Sequence, residues 1–184
     1  MMATLQTTER LLLRELNESD LDSVAEMMCD PRVNEYFYGF QRIKNSADLP
    51  SYTSDYFFSP FAETHAEFGI GGIAIHERGA SDSGVGAFVG ITGFFPPPSH
   101  HQEFGPELVY ILGAGYHGKG YAFEAAKAAI EIARAVPDLE WLSLTTDAPN
   151  QASRSIAEKL GFSEFGQVAA YDAEDMVFYT ENLR

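Results

Sequence analysis

The 184-residue chain has one cysteine, one tryptophan and few basic residues. A lone Cys29 excludes an internal disulfide, and no grouping of Cys and His shows metal-ligand spacing, so no metal is expected. Cys29 itself is expected to be a buried core thiol. Basic residues number 12 against 27 acidic ones, for a formal charge of −15. That field repels a phosphate backbone, which argues against nucleic acid as a partner, whereas a cationic partner suits it. Excess carboxylates also keep a small domain soluble. Missing too is any run of ~18 apolar residues able to cross a bilayer. The opening MMATLQTTERLLLREL lacks the basic, apolar and small-residue order of a signal peptide, so the expected setting is cytoplasmic, with no membrane partner.

What is present is apolar enough to fold. Hydrophobic residues make up 45% and aromatics 13% of the chain, which supplies a core for one domain over residues 1–184. Leu11–Arg14 reads as a strand. Ser19–Met28 reads as a helix with Leu21, Val24, Ala25 and Met28 on one side, capped by Asn17 or Ser19. Glu35–Glu67 mixes aromatics with Pro50 and Pro60 and is expected to be irregular or short-helical. Phe68–His76 and Val85–Phe95 flank a Gly, Ser and Asp turn and predict a hairpin. Leu108–Leu112, a glycine turn, a helix carrying Ala125, Ala126, Ala129 and Ile130 on one stripe, and Trp141–Thr146 predict a β-α-β crossover and two parallel strands. A helix over Ala152–Leu160, ended by Gly161, and strands near Phe162–Val168 and Met176–Thr180 complete an α/β (α+β) domain. The expected sheet has about seven strands, mostly antiparallel, with one splayed parallel pair and flanking helices.

The chemistry concentrates in ELVYILGAGYHGKGYAFEAA. Gly113, Gly115, Gly118 and Gly120 lie between a strand and a helix, where small residues let successive backbone N–H groups face one anion. Lys119 adds a charge, and the helix start contributes ~0.3–1 kcal/mol toward a nearby anion. A P-loop reading fails, because Tyr121 and Ala122 stand where the magnesium-binding hydroxyl belongs. Gly113 to Gly118 fits the letters of a dinucleotide fingerprint, with Asp138 or Glu140 as the acidic partner. Yet it follows several antiparallel strands and precedes a single crossover, which leaves dinucleotide binding as the alternative.

HGKGYA resembles the acyl-CoA pyrophosphate loop of the GNAT superfamily of N-acetyltransferases, with His117, Gly118, Lys119, Gly120, Tyr121 and Ala122 filling its pattern. GYHGKGYAFEAA and the later NQASRSIAEKLGF are similar to the branch that acetylates the N-termini of ribosomal proteins. In the second, Asn150, Ser153, Lys159, Gly161 and Phe162 stand at the expected intervals. The opening ERLLLRELNESDLDSVAEMMCDPRVNEYF also resembles that branch, and the likeness thins between about Phe40 and Glu67.

The resemblance implies acetyl transfer from acetyl-CoA to a primary amine. Direct attack without an acyl-enzyme is expected, since Cys29 lies far in sequence from the cofactor motif, and the expected assembly is a monomer or homodimer. The resemblance assigns backbone groups of Tyr110, Ile111 and Leu112 to the pantetheine arm. The Tyr110 N–H is placed to polarise the thioester carbonyl, a role often worth ~3 kcal/mol of barrier. It implies that Asn150 and Ser153 meet the arm and that the loop from His117 to Ala122 holds the phosphates. Glu107 is the expected proton acceptor for the amine, since only a neutral amine attacks. Tyr110 and Ser153 are further candidates for handling water or the leaving sulfur, and His100 and His101 for a base. The chain departs from the pattern at His117, where many members have Gln, Arg or Trp. It departs again at Ala157, where many have the tyrosine that protonates the leaving thiolate. That gap encourages a second reading as a non-catalytic CoA sensor, although a thiol of pKa ~8.5 leaves readily without a dedicated acid. The acceptor is expected to be cationic or a protein N-terminus. Tyr36–Phe40 and Tyr52–Phe61 are expected to line its pocket, with Glu35, Asp55 and Glu63 drawing in the cation.

Overall fold

A computed structural model describes residues 4–43, 46–79, 84–99, 101–170 and 173–184. The strands are β1 (Thr4–Thr7), β2 (Leu11–Glu15), β3 (Gly72–Arg78), β4 (Val85–Phe95), β5 (Glu107–Leu112), β6 (Trp141–Asp147), β7 (Ser163–Ala170) and β8 (Ala173–Asn182). The helices are α1 (Leu21–Met28), α2 (Tyr38–Gln41), α3 (Leu49–Thr53), α4 (Ser59–Phe68), α5 (Tyr121–Arg134) and α6 (Gln151–Lys159). One eight-stranded sheet runs β1-β2-β3-β4-β5-β6-β8-β7 and is antiparallel throughout except between β5 and β6. The expected mixed sheet with one parallel pair is thus observed, with β1 as an additional edge strand. The β3-β4 hairpin, the β5-α5-β6 crossover and the terminal hairpin stand where periodicity placed them.

Three expectations need correction or sharpening. Phe68 does not open a strand: it ends α4, and Gly69 follows in the left-handed conformation that closes the helix, so β3 begins at Gly72. The aromatic stretch is largely helical, with α3 and α4 joined by a π-helical stretch, Ser54–Phe58. Cys29 is exposed rather than buried. It sits just past α1, with Met28 taking the inward position and its Sγ resting against the Ala25 carbonyl.

Strand alternation divides the core between two faces. Leu108 and Leu112 of β5 and Leu142 and Leu144 of β6 pack with α5 and with Ala157 of α6. Ile111 and Val109 instead meet α1 and the aromatics Phe40, Phe57 and Phe61. The second layer is pinned at its base by a buried ion pair in which Arg14 donates to both oxygens of Asp20, at 2.8 and 2.6 Å. The same guanidinium donates to His76 Nε2 at 2.9 Å. Because a guanidinium has no lone pair to offer, His76 carries its proton on Nδ1, facing the Gly86 carbonyl. Burial pushes the Asp20 carboxyl up, but its bonds from Arg14 and the Asn17 N–H outweigh that and hold it below the ordinary value of 3.8. A lowered carboxylate stabilises the fold above that ordinary value and stops doing so as pH falls through the folded one. Asp20→Ala strands Arg14 without its counter-charge and is expected to lower stability by ~3–5 kcal/mol in denaturant titration at neutral pH, a difference that shrinks in acid.

Candidate functional site

Pairing between β5 and β6 is confined to Glu107 opposite Ser143, supported by the Ser143 N–H donating to the Pro106 carbonyl at 3.1 Å. A continuing parallel ladder would send the next β6 donor, the Thr145 N–H, to the Leu108 carbonyl. It goes instead to Glu107 Oε1 at 3.1 Å. The Glu107 carboxylate, 3% exposed, therefore bridges the point where the strands part. Beyond it the gap between the strands opens as a slot.

The register with β4 shows which groups face that slot. Gly113 N–H donates to the Val89 carbonyl at 2.9 Å, and the pairs Gly90 with Leu112 and Thr92 with Tyr110 lie on the same diagonal. In an antiparallel ladder alternate residues bond the neighbour. Odd-numbered β5 residues therefore bond β4, while Tyr110 and Leu112 turn their N–H and C=O toward β6. Ile111 bonds β4, and its side chain packs on the α1 side. The Leu112 carbonyl is already engaged, since His117 Nε2 donates to it at 2.9 Å and folds the glycine turn back onto the strand.

At the mouth of the slot, α5 begins at Tyr121 with Gly120 as an N-cap that has no side-chain oxygen to offer. The first-turn amides, those of Ala122 among them, are thus without a side-chain cap. Gly118 and Gly120 both have left-handed φ, 71° and 79°. A Cβ on Gly118 would meet nothing within 4 Å, which leaves room for a phosphate against the backbone. Lys119 lies 5.5 Å from the Tyr116 ring centroid. Arg10, which sequence reasoning missed, donates to the Lys119 carbonyl at 2.8 Å, pairs with Glu124 and covers the Tyr121 ring. Its signal was absent because the contact spans more than a hundred residues. A cleft of about 360 Å³ beside Gly113 is lined by Glu26 and Asp30, a setting that repels a pyrophosphate.

Across the slot, the Asn150 side chain accepts from the Ser153 N–H at 3.1 Å and starts α6. The Tyr110 phenol reaches that first turn, 2.9 Å from Ser153 Oγ and 3.2 Å from its carbonyl. Burial pushes this phenol up to about 12. It stays neutral, and a donor so weakly acidic is poorly matched to a thiolate. Ala157, at the tyrosine position of the resemblance, is packed into the core beneath.

On the opposite face of the sheet Glu107, Ser143, Thr145 and Asp147 form one polar strip, since Glu107 lies opposite Ser143 and the β6 residues alternate with core Leu142 and Leu144. The His101 ring stacks on Phe178, the β8 partner of Thr145, so His101 lies on this face. His100 falls outside the described residues. The aromatic stretch splits in two: Phe40, Phe57 and Phe61 are core, whereas Tyr38 is exposed and donates its phenol to Asp147 Oδ1 at 3.0 Å. Glu35, Asp55 and Glu63 lie exposed at the surface. Among the described residues no group of three or more His, Cys, Asp or Glu is arranged to hold a metal, and no helix is long and apolar enough to cross a membrane.

A mixed sheet whose one parallel pair parts beside an uncapped, glycine-led helix is the architecture of an acyl-CoA-dependent N-acetyltransferase. The comparisons agree. A family model described as an acetyltransferase (GNAT) domain matches residues 10–163. The chain belongs to that family. It is 25% identical over 155 residues to the uncharacterized protein YkkB of Bacillus subtilis, covering 84% of this chain and 82% of YkkB. It superposes on an acetyltransferase from Agrobacterium tumefaciens with a TM-score of 0.73 and 27% identity, over 98% of this chain and 95% of that one. The fold is shared with RimL, a ribosomal L7/L12 N-protein acetyltransferase solved with coenzyme A, at a TM-score of 0.72 and 15% identity over 98% of both chains.

The bridge at Glu107 yields a direct test. Glu107→Gln keeps an oxygen for the Thr145 N–H and is expected to leave the CoA dissociation constant within about threefold. Glu107→Ala orphans a buried donor, which typically costs ~1–3 kcal/mol, and is expected to weaken CoA binding on the order of tenfold in calorimetry.

Proposed function

We propose that the protein transfers the acetyl group of acetyl-CoA to a primary amine by direct attack, the acceptor being a small amine or a protein N-terminus. The observation that carries this is the slot itself. One edge of β5 presents the Tyr110 backbone groups and the Leu112 N–H to it, and the glycine nest and α5 start stand at its mouth. The chain's residues fit the co-substrate by shape and by charge. An extended arm with amides suits the open strand edge, and Gly118, Gly120 and Lys119 gather donors and positive charge for its phosphates, with Arg10 bracing the loop through the Lys119 carbonyl. When bound, acetyl-CoA supplies an activated acyl group on a good leaving sulfur. The Tyr110 N–H polarises the carbonyl, Asn150 and Ser153 orient the arm, and Glu107 on the far face receives the proton of the amine through water. Tyr110 spans the slot as a neutral strut to Ser153.

Direct attack agrees with Cys29 lying at the exposed end of α1. Mixing the protein with acetyl-CoA and a panel of amines is expected to release free thiol, and Cys29→Ala is expected to leave that rate intact. Tight binding with no release for any amine would instead favour a sensor, and protection from unfolding by NAD but not by CoA would favour a dinucleotide site. Gly120→Val forces a β-branched residue into a left-handed conformation at the phosphate nest and is expected to raise the acetyl-CoA dissociation constant at least tenfold. Lys119→Ala removes a screened point charge and is expected to cost no more than a few-fold. Equal losses from the two would mean that the lysine dominates.

A further inference from the structure

Among the described residues three carboxylates are less than one tenth exposed: Asp20, Glu107 and Asp147. A charge removed from water is retained only where partners replace the water. Asp20 has the Arg14 guanidinium on both oxygens, and Glu107 receives the Thr145 N–H at the strand junction. Asp147, 6% exposed, receives one phenol, that of Tyr38 at 3.0 Å. Among the described residues no lysine, arginine or histidine pairs with its side chain. One neutral donor is little compensation for a buried anion that accepts at two oxygens. The site is also short of a donor one pleat back, where Thr145 Oγ1 is buried with no hydrogen-bond partner. Asp147 and Thr145 share a face of β6.

The strip places this carboxylate beside the reaction. Counting from Glu107 opposite Ser143, Tyr110 lies three residues along β5 and Asp147 four along β6, ~10 and ~13 Å at the usual strand rise. Asp147 is therefore about one strand rise further along than Tyr110, across the slot and on the face away from the Tyr110 phenol. Over it stands Tyr38, 38% exposed, from the short helix α2.

We propose that Asp147 is the binding site for a positively charged group of the acceptor other than the amine that is acetylated, so that the preferred acceptors are compact diamines or comparable dications. The proposal rests on the acetyltransferase reading and names its substrate class. The distinction between the two nitrogens is chemical. The attacking amine must lose its proton, which Glu107 takes at a distance through water, whereas a group bonded directly to a carboxylate is held as the cation. A buried carboxylate without a counter-ion suits a group that stays charged from binding to release. The second ammonium completes the Asp147 valence beside or in place of the Tyr38 phenol and offers a donor to Thr145 Oγ1.

The test compares 1,4-diaminobutane with 1-aminobutane, which share a carbon skeleton and differ by one cation. Wild-type protein is expected to show kcat/KM higher for the diamine by on the order of 30-fold, and calorimetric binding of the diamine to the CoA-bound protein. Asp147→Asn is close in shape and is expected to bring the ratio near one and to abolish that binding, with acetyl-CoA affinity within about threefold of wild type. Tyr38→Phe keeps the carboxylate and removes its donor, and is expected to strengthen diamine binding; weaker or unchanged binding would count against the assignment even if the Asn variant failed to fold. The proposal is overturned by a wild type without diamine preference, by a preference that survives Asp147→Asn, or by an equal fall for both amines. Failure of acetyl-CoA itself to bind would instead remove the acetyltransferase reading on which the proposal stands.

Discussion

The parting of β5 from β6 is the constraint on which the rest of the structure depends. A parallel pair inside a sheet normally continues its ladder, because each unpaired N–H or C=O costs free energy when it is dry. Here the ladder stops after Glu107 opposite Ser143, and the Glu107 side chain takes the donor that the backbone no longer serves. The cost of the interruption is thereby contained at one end, while the other end is left with groups that a ligand strand can satisfy. His117 limits the opening from above by engaging the Leu112 carbonyl, and the Tyr110 phenol limits it from the side by reaching Ser153.

From that slot the two faces of the sheet acquire different work. The face carrying Leu108, Leu112, Leu142 and Leu144 is closed by α5 and α6 and presents the glycine nest at its rim. The other face carries the polar strip of β6 and the acidic residues, roofed by α2 and the aromatic helices. In the proposed reaction the anionic co-substrate and the amine acceptor approach from opposite faces of the sheet and meet where it is split. The same arrangement reconciles a chain of charge −15 with the proposed polyanionic co-substrate, since the local donors lie at the rim and the buried carboxylates on the opposite face.

Much of this was legible in the order of residues. Local signals sufficed for β4, β5, α5 and the glycine turn, since hydrophobic period and turn chemistry act over a few positions. The Phe68 boundary was misplaced because an apolar residue closing an amphipathic helix looks like one opening a strand, and only Gly69 marked the difference. Cys29 was assigned to the core on residue type, whereas the phase of α1 gives the inward position to Met28. Tyr38 was in a segment expected to line the acceptor pocket, but the contacts of Arg10 with Lys119 and of Tyr38 with Asp147 lay beyond a sequence reading because each joins distant segments, Tyr38 and Asp147 being 109 residues apart. The aromatic stretch illustrates the same limit, for nothing local separates Phe40, which is core, from Tyr38, which is not.

The central claim is that an extended ligand completes the open edge of β5 and that its phosphates rest on the glycine nest. Amide hydrogen exchange with and without acetyl-CoA tests it most directly. The account predicts that saturation slows exchange at the Tyr110, Leu112, Gly118 and Gly120 amides together, with little change at odd-numbered β5 amides already bonded to β4. Saturable binding that leaves the Tyr110 and Leu112 amides unprotected would contradict it.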